Sequence, residues 1–127
     1  MQHIAAIGLA GAIVIALAWF GLPERLGAHP FWAVKIGFLG LLPGAVAALL
    51  FAWLRLPRMA EIGFAAVLVA ASFATAKVGA ARFAASYAED ALAGRLWFFG
   101  WIAVAGTAML LFYLVILRFL RRATQVD

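Results

Sequence analysis

The chain contains no cysteine, two histidines and five acidic residues among its 127 amino acids. Without cysteine it has no disulfide, no thiol redox chemistry and no thiolate-bound metal. No acidic residue lies in the central part of a long apolar run, which argues against a proton-coupled exchanger built on a membrane-embedded carboxylate. The sequence also has no glycine-rich phosphate loop and no nucleophile motif. These absences predict a protein that is not an enzyme.

The two histidines, His3 and His29, lie at opposite ends of the first apolar run. They therefore cannot hold one haem from both sides, and neither has a neighbouring set of metal-ligating residues. We expect no cofactor and no metal. A quinone- or haem-associated membrane enzyme is the least favoured function, because it needs ligands that this sequence lacks.

What the chain has in abundance is apolar sequence. Hydrophobic residues make up 69% and charged residues 12%, against roughly half and a quarter in soluble domains. The apolar residues form four runs, each near the ~20 residues that cross the hydrocarbon of a bilayer. We predict an all-α integral membrane protein with four transmembrane helices in an antiparallel bundle. It forms one domain over residues 1–127, with spans at about 4–22, 31–54, 62–85 and 96–117.

The first run is expected to be a retained transmembrane helix rather than a signal peptide, since no lysine or arginine precedes it. The net charge is +5, and most basic residues lie at the ends of the runs. That placement indicates topological anchoring and contact with membrane lipids rather than with nucleic acid. Four spans put both termini on one side, where five loop arginines oppose three on the other side. The positive-inside rule then predicts cytoplasmic termini in a bacterial-type inner membrane.

Three arginines close the fourth span: Arg118, Arg121 and Arg122. They are the candidate contact for anionic lipid. The alternative is a plain stop-transfer anchor, in which the charges prevent the helix from sliding further into the membrane.

In the second span, Gly37, Gly40 and Gly44 share one narrow face when successive residues are placed ~100° apart. Small residues let helix backbones approach closely in lipid, so these glycines are candidate helix-packing positions. Pro43 lacks an N–H and is predicted to kink the helix. A kink beside such glycines marks a bent packed helix, a hinge or a ligand cavity.

In the third span, Lys77 shares a face with Ala66, Ala70 and Ala74, which form the second set of candidate helix-packing positions. A charge on such a face is costly unless it is paired or hydrated, so Lys77 is the candidate buried charge or ligand contact. Three roles remain open for it: a structural ion pair, a side chain that reaches the headgroups, or a contact with a ligand, quinone or partner subunit.

The second span begins with Pro30 to Lys35, PFWAVK. This aromatic-then-lysine start resembles that of the copper resistance D and protoporphyrinogen oxidase group. The resemblance implies a polytopic fold. Some of those proteins bind haem through a membrane histidine, which this chain lacks. The pattern is also similar to the four-helix subunit I of bacterial ATP synthase operons, whose acidic residue in the third span is missing here.

Taken together, these features predict a small non-catalytic accessory, structural or assembly subunit of a larger membrane protein complex. Its helices would pack through glycine and alanine faces against other membrane subunits or against copies of itself. The alternative is a small homo-oligomeric transporter or channel, with a pathway near the kinked second helix and Lys77.

Overall fold

The structure is a computed structural model that describes residues 1–126. Among those residues there are helices and no strands, which confirms the predicted all-helical class. The chain forms six helices, numbered in chain order: α1 Gln2–Trp19, α2 Leu22–Arg25, α3 Lys35–Leu39, α4 Leu41–Leu54, α5 Arg58–Ala85 and α6 Ala91–Val126.

Four stretches are long and apolar enough to cross a membrane, namely α1, the pair α3 and α4, α5, and α6. They support the predicted multi-pass membrane protein. The helices run beyond the predicted spans at several ends. For example, α5 begins at Arg58 and α6 continues past residue 117. A helix can extend from hydrocarbon into headgroups, so the ends of the helices do not measure the ends of the membrane spans.

The helix α6 lies at the centre of the molecule, because α1, α3, α4 and α5 all pack against it. Its largest buried side chains are those of Trp101, Leu110, Tyr113 and Leu114, each at most 2% exposed. By contrast, α5 packs mainly against α6 and leaves much of its surface uncovered. The central helix α6 is therefore well covered by its neighbours, whereas α5 is not.

The connections between helices follow from local sequence. Arg55 adopts a left-handed conformation that ends α4, and Pro57 then precedes the first residue of α5. This tight turn is expected for a proline next to a helix end. At the start of α6, a carboxylate oxygen of Asp90 accepts a hydrogen bond from the Ala93 amide at 3.1 Å, as a capping aspartate does.

The second span is interrupted for one residue at Gly40, between α3 and α4. Two backbone hydrogen bonds meet at Gly40: its N–H donates to the Ile36 carbonyl at the end of α3, and its carbonyl accepts from the Gly44 N–H at the start of α4. Pro43 lies in the first turn of α4, where a missing N–H leaves no intrahelical bond unmade. The predicted bend at Pro43 stays a prediction.

Candidate functional site

The glycines predicted to pack in the second span are all buried. A methyl group built on Gly37 would lie 2.6 Å from the Cβ of Ala18 in α1. One on Gly40 would lie 2.6 Å from the Cβ of Ala105, and one on Gly44 would lie 2.9 Å from the Cβ of Met109 and 3.1 Å from the carbonyl oxygen of Gly106. Cβ atoms cannot approach this closely, so glycine is what allows α3 and α4 to contact α1 and α6.

The alanines predicted to pack in the third span lie on the side of α5 that faces away from α6. Ala66, Ala70 and Ala74 are exposed, whereas the residues of α5 that contact α6 include Ala76 and Gly79. We call Gly63, Ala66, Ala70 and Ala74 the outer face of α5. Nothing in the described part of the chain lies within 4 Å of a methyl group built on Gly63. The outer face is therefore not used for packing inside this chain.

A groove of about 310 Å³ lies between α5 and α6. On the α5 side it is lined by small and hydroxyl-bearing residues that include Ala71, Ser72 and Thr75. On the α6 side it is lined by residues that include Phe99 and Gly100. The groove gives the surface of α5 a concave edge beside its outer face.

Lys77 is exposed and donates a hydrogen bond to the backbone carbonyl of Leu26, with an N–O distance of 3.1 Å. Leu26 belongs to the connection between α1 and α3, which is also held by the indole of Trp97 donating to the Gly27 carbonyl at 2.9 Å. Gly27 has a φ of 117°, and a methyl group built on it would lie 2.8 Å from Nζ of Lys77. Lys77 therefore contributes to holding this loop, and its predicted ligand contact stays a prediction.

A polar pocket of about 430 Å³ opens at the end of the molecule that carries both the start of α1 and the turn between α4 and α5. Sequence reasoning did not identify it. Its polar lining comes from three helices and one turn: His3, Arg55, Arg58, Glu61, Tyr113 and Arg121. Apolar side chains of Phe51, Leu114 and Leu117 form the rest of its wall.

A chain of hydrogen bonds runs along one wall of the polar pocket. Nη2 of Arg121 lies 3.4 Å from Nε2 of His3, and Nδ1 of His3 lies 2.7 Å from the hydroxyl of Tyr113. Arginine has N–H donors and no acceptor, so Nε2 of His3 accepts and the ring proton is on Nδ1. His3 then donates to the oxygen of Tyr113, whose own hydroxyl hydrogen remains available to a third group.

Glu61 is the one buried charged residue in the described chain, with 7% of its surface exposed. It lies in the first turn of α5, and one of its carboxylate oxygens is 4.0 Å from Nε of Arg58. This is the long limit for an ion pair, so the contact orients the two side chains while leaving other donors of Arg58 unused.

The predicted lipid-contacting arginines lie beside this pocket. Arg118, Arg121 and Arg122 line a second depression, of about 270 Å³, together with Arg58 and Met59. Arg118 also donates to the sulfur of Met59 at 3.4 Å. The structure thus places the basic end of α6 next to the first turn of α5. Their predicted contact with lipid stays a prediction.

No protein-family model, curated protein or solved structure matches this chain. The short resemblances at residues 30–35 therefore establish no family membership.

One further cavity, of about 140 Å³, lies between α1, α3 and α6, and almost all of its lining is apolar. Trp101 contributes to its wall, and the indole N–H of Trp101 is buried without a hydrogen-bond partner in the described residues.

Across residues 1–126, no group of three or more histidine, aspartate or glutamate side chains is placed to hold a metal ion.

Three features of the sequence mark residues that line the polar pocket. Arg58 and Glu61 are three positions apart, which places them on the same side of one helix turn. Tyr113 is a hydroxyl-bearing residue in the strongly apolar fourth span, and His3 opens the first. No spacing rule connects residues that are 110 positions apart, so their meeting depends on how α1 packs against α6.

Proposed function

We propose that this chain is a small non-catalytic accessory or assembly subunit, and that the outer face of α5 binds a transmembrane helix of a different membrane protein. In this proposal four spans cross a bacterial-type inner membrane as an antiparallel bundle, with the second span bent at Pro43 and both termini in the cytoplasm. The observation that carries the proposal is the exposure of Ala66, Ala70 and Ala74 on a long helix that packs mainly against α6.

The composition of this face favours protein over lipid as its neighbour. The uncovered side of α4 carries bulky side chains, including Leu42 and Trp53, which are 74% and 75% exposed. The outer face of α5 carries glycine and alanine instead. Lipid chains accept bulky residues readily, whereas small residues allow a second helix backbone to approach closely. The groove beside Ser72 and Thr75 adds hydroxyl groups that can bond across such a contact.

The charge of Lys77 favours a different protein over a second copy of this chain. Lys77 lies on the same helical face as Gly63 and Ala70, near one end of the proposed contact. A two-fold dimer through this face uses the same patch on both copies and places the two Lys77 residues at the same level, with each ammonium bonded to the Leu26 carbonyl of its own chain. Like charges in such a contact are unfavourable. A partner with an acidic side chain or free carbonyl groups at that level is compatible with Lys77.

The close contacts of Gly37, Gly40 and Gly44 favour a packing role for the second span over a solute pathway. Each of these glycines lies against another helix of the same chain. A pathway along their face needs space that the side chains of Ala105 and Met109 occupy.

Site-specific photo-crosslinking in native membranes tests the proposal. A benzophenone amino acid replaces Ala70 on the outer face of α5 in one variant and Leu49 on the uncovered side of α4 in the other. We expect the probe at position 70 to give one discrete adduct with another membrane protein, and the probe at position 49 to give none. A self-adduct at position 70 would support the homo-oligomer instead, and solute flux through that assembly in liposomes would support a transporter.

A second variant tests whether the crosslinked contact holds the complex together. Ala70→Leu adds bulk to an exposed site, so the isolated chain is expected to keep its stability while the partner is lost on purification. The matched change Leu49→Ala is expected to retain the partner. Equal retention by the two variants contradicts the proposed contact.

A further inference from the structure

We propose that the polar pocket binds one lipid headgroup through its phosphate, with Arg55, Arg58 and Arg121 as the phosphate-binding residues. The inference is independent of the proposed role of the outer face of α5, because the pocket lies at the end of α5 where Arg58 begins the helix. It also differs from an anchor built from the arginines that end α6, since two of its three arginines come from the turn before α5 and the first residue of α5.

The charge of the pocket favours an anion. Three guanidinium groups and one carboxylate, that of Glu61, line the pocket, so the lining carries an excess of positive charge. Guanidinium groups present paired N–H donors that match the oxygens of a phosphate. The ion pair between Arg58 and Glu61 is long, at 4.0 Å, and leaves donors of Arg58 available. The positive end of the α5 dipole adds to the same field.

The hydrogen-bond direction along the wall adds another donor. Because Arg121 donates to His3 and His3 donates to Tyr113, the hydroxyl hydrogen of Tyr113 is not used within this chain of bonds. Tyr113 is 1% exposed, so this hydrogen is positioned on a side chain held rigidly by packing. Donors therefore line the pocket on several sides, which suits phosphate oxygens.

The shape and the apolar wall favour a lipid over free phosphate. A volume of about 430 Å³ falls within the range of pockets for small organic ligands, roughly 300–1,000 Å³, and is far larger than one phosphate ion needs. Phe51, Leu114 and Leu117 line the same pocket as the arginines. A phosphate bonded to the arginines leaves the glycerol backbone and the first acyl carbons against these apolar side chains.

Glu61 makes the pocket selective among lipids. An ionised carboxylate only accepts hydrogen bonds, so it favours a headgroup with hydroxyl or N–H donors beside the phosphate. The glycerol of phosphatidylglycerol and the ammonium of phosphatidylethanolamine carry such donors. The quaternary ammonium of phosphatidylcholine does not. We therefore expect phosphatidylglycerol and phosphatidylethanolamine to bind, and phosphatidylcholine to bind weakly.

Native mass spectrometry of the full chain in detergent tests the inference by titrating each of the three lipids separately. We expect one molecule of phosphatidylglycerol to bind each chain, with an affinity about tenfold lower in Arg121→Gln, the effect of losing one charge-assisted hydrogen bond. The matched control is Arg95→Gln, which removes the same charge from an exposed position near the other end of α6 and is expected to change the affinity less than about twofold. Equal losses in the two variants would overturn the pocket in favour of general charge attraction.

Arg121→Gln also removes the bond to His3, so a second variant guards against an indirect effect through the fold. Arg55 is exposed in the turn between α4 and α5, and Arg55→Gln is expected to weaken lipid binding while leaving thermal stability unchanged. Unchanged lipid affinity in Arg55→Gln, or equal binding of phosphatidylcholine, counts against the inference. Displacement of the bound lipid by inorganic phosphate at equal concentration would identify a soluble phosphate as the occupant and overturn the lipid assignment.

Discussion

Nδ1 of His3 lies 2.7 Å from the hydroxyl of Tyr113, which joins the first turn of α1 to a buried position in α6. The two residues are 110 positions apart in the chain. Their bond couples the order of the N-terminal turn to the packing of the central helix. It also sets the direction of the hydrogen bonds that line the polar pocket.

The first prediction removes one oxygen atom from this bond. Tyr113→Phe removes the acceptor of the Nδ1–H of His3, and we expect the free energy of unfolding to fall by about 0.5–1.5 kcal/mol, since His3 is only partly buried. The measurement is thermal unfolding in detergent, followed by tryptophan fluorescence. Tyr87→Phe is the control, because Tyr87 is 92% exposed. The same melting temperature in both variants would show that the bond does not stabilise the fold.

The second prediction concerns the close approach of α4 to α6. Gly40→Ala forces a methyl group to within 2.6 Å of the Cβ of Ala105 and 2.9 Å of the backbone nitrogen of Gly106. Because backbone atoms cannot give way cheaply, we expect a loss of about 1–3 kcal/mol in stability. Gly8→Ala is the matched control, since a methyl group there has nothing within 4 Å. If both variants unfold at the same temperature, the prediction that α4 and α6 approach too closely at Gly40 for a methyl group is wrong.

The third prediction concerns the loop between α1 and α3. Trp97→Phe removes the indole donor to the Gly27 carbonyl, and we expect faster hydrogen exchange at residues 21–30, by about fivefold for a lost bond near 1 kcal/mol. Mass spectrometry of exchanged peptides measures this. Trp19→Phe serves as the control because Trp19 is 68% exposed. Equal exchange in both variants would mean that the bond from Trp97 does not order the loop.

Lys77 can be tested in the same experiment. Lys77→Met removes the bond to the Leu26 carbonyl, and we expect a smaller increase in exchange than in Trp97→Phe, because water replaces an exposed ammonium group more readily. If the variant also keeps any membrane partner and its stability, Lys77 acts on the loop alone. The prediction of a ligand contact is then wrong.

The fourth prediction concerns orientation, and the absence of native cysteine makes it direct to test. Single cysteines at Leu56, Glu89 and Ala123 lie at exposed positions. In inverted vesicles, whose cytoplasmic side faces outward, an impermeant maleimide is expected to label positions 56 and 123 and to spare position 89. Right-side-out cells should show the reverse. Labelling of positions 56 and 89 from the same side would contradict four crossings.

Much of the fold follows from apolar run length. Four runs near ~20 residues require helices, because backbone groups in hydrocarbon must bond within their own segment. The glycine face at Gly37, Gly40 and Gly44 could also be found by helical periodicity, since these positions share one side. Which helix lies against that face could not be read from the sequence, because almost every span carries small residues.

The polar pocket could not be predicted from the sequence. His3, Glu61 and Tyr113 each stand out as polar residues in their own segment, but no local pattern joins the three of them. Only the packing of α1 and α5 around α6 brings their side chains to one end of the molecule.

The sequence by itself determined the helical class, the four candidate spans and the exclusion of thiol chemistry, since these depend on composition and on the length of apolar runs. The tertiary structure decided that the alanine face of α5 is left uncovered while the glycine face of the second span is filled. It also decided that three arginines share a pocket with a buried glutamate. The physical reason is that small-residue faces are interchangeable by type, and only the geometry of the packed helices selects which of them meet.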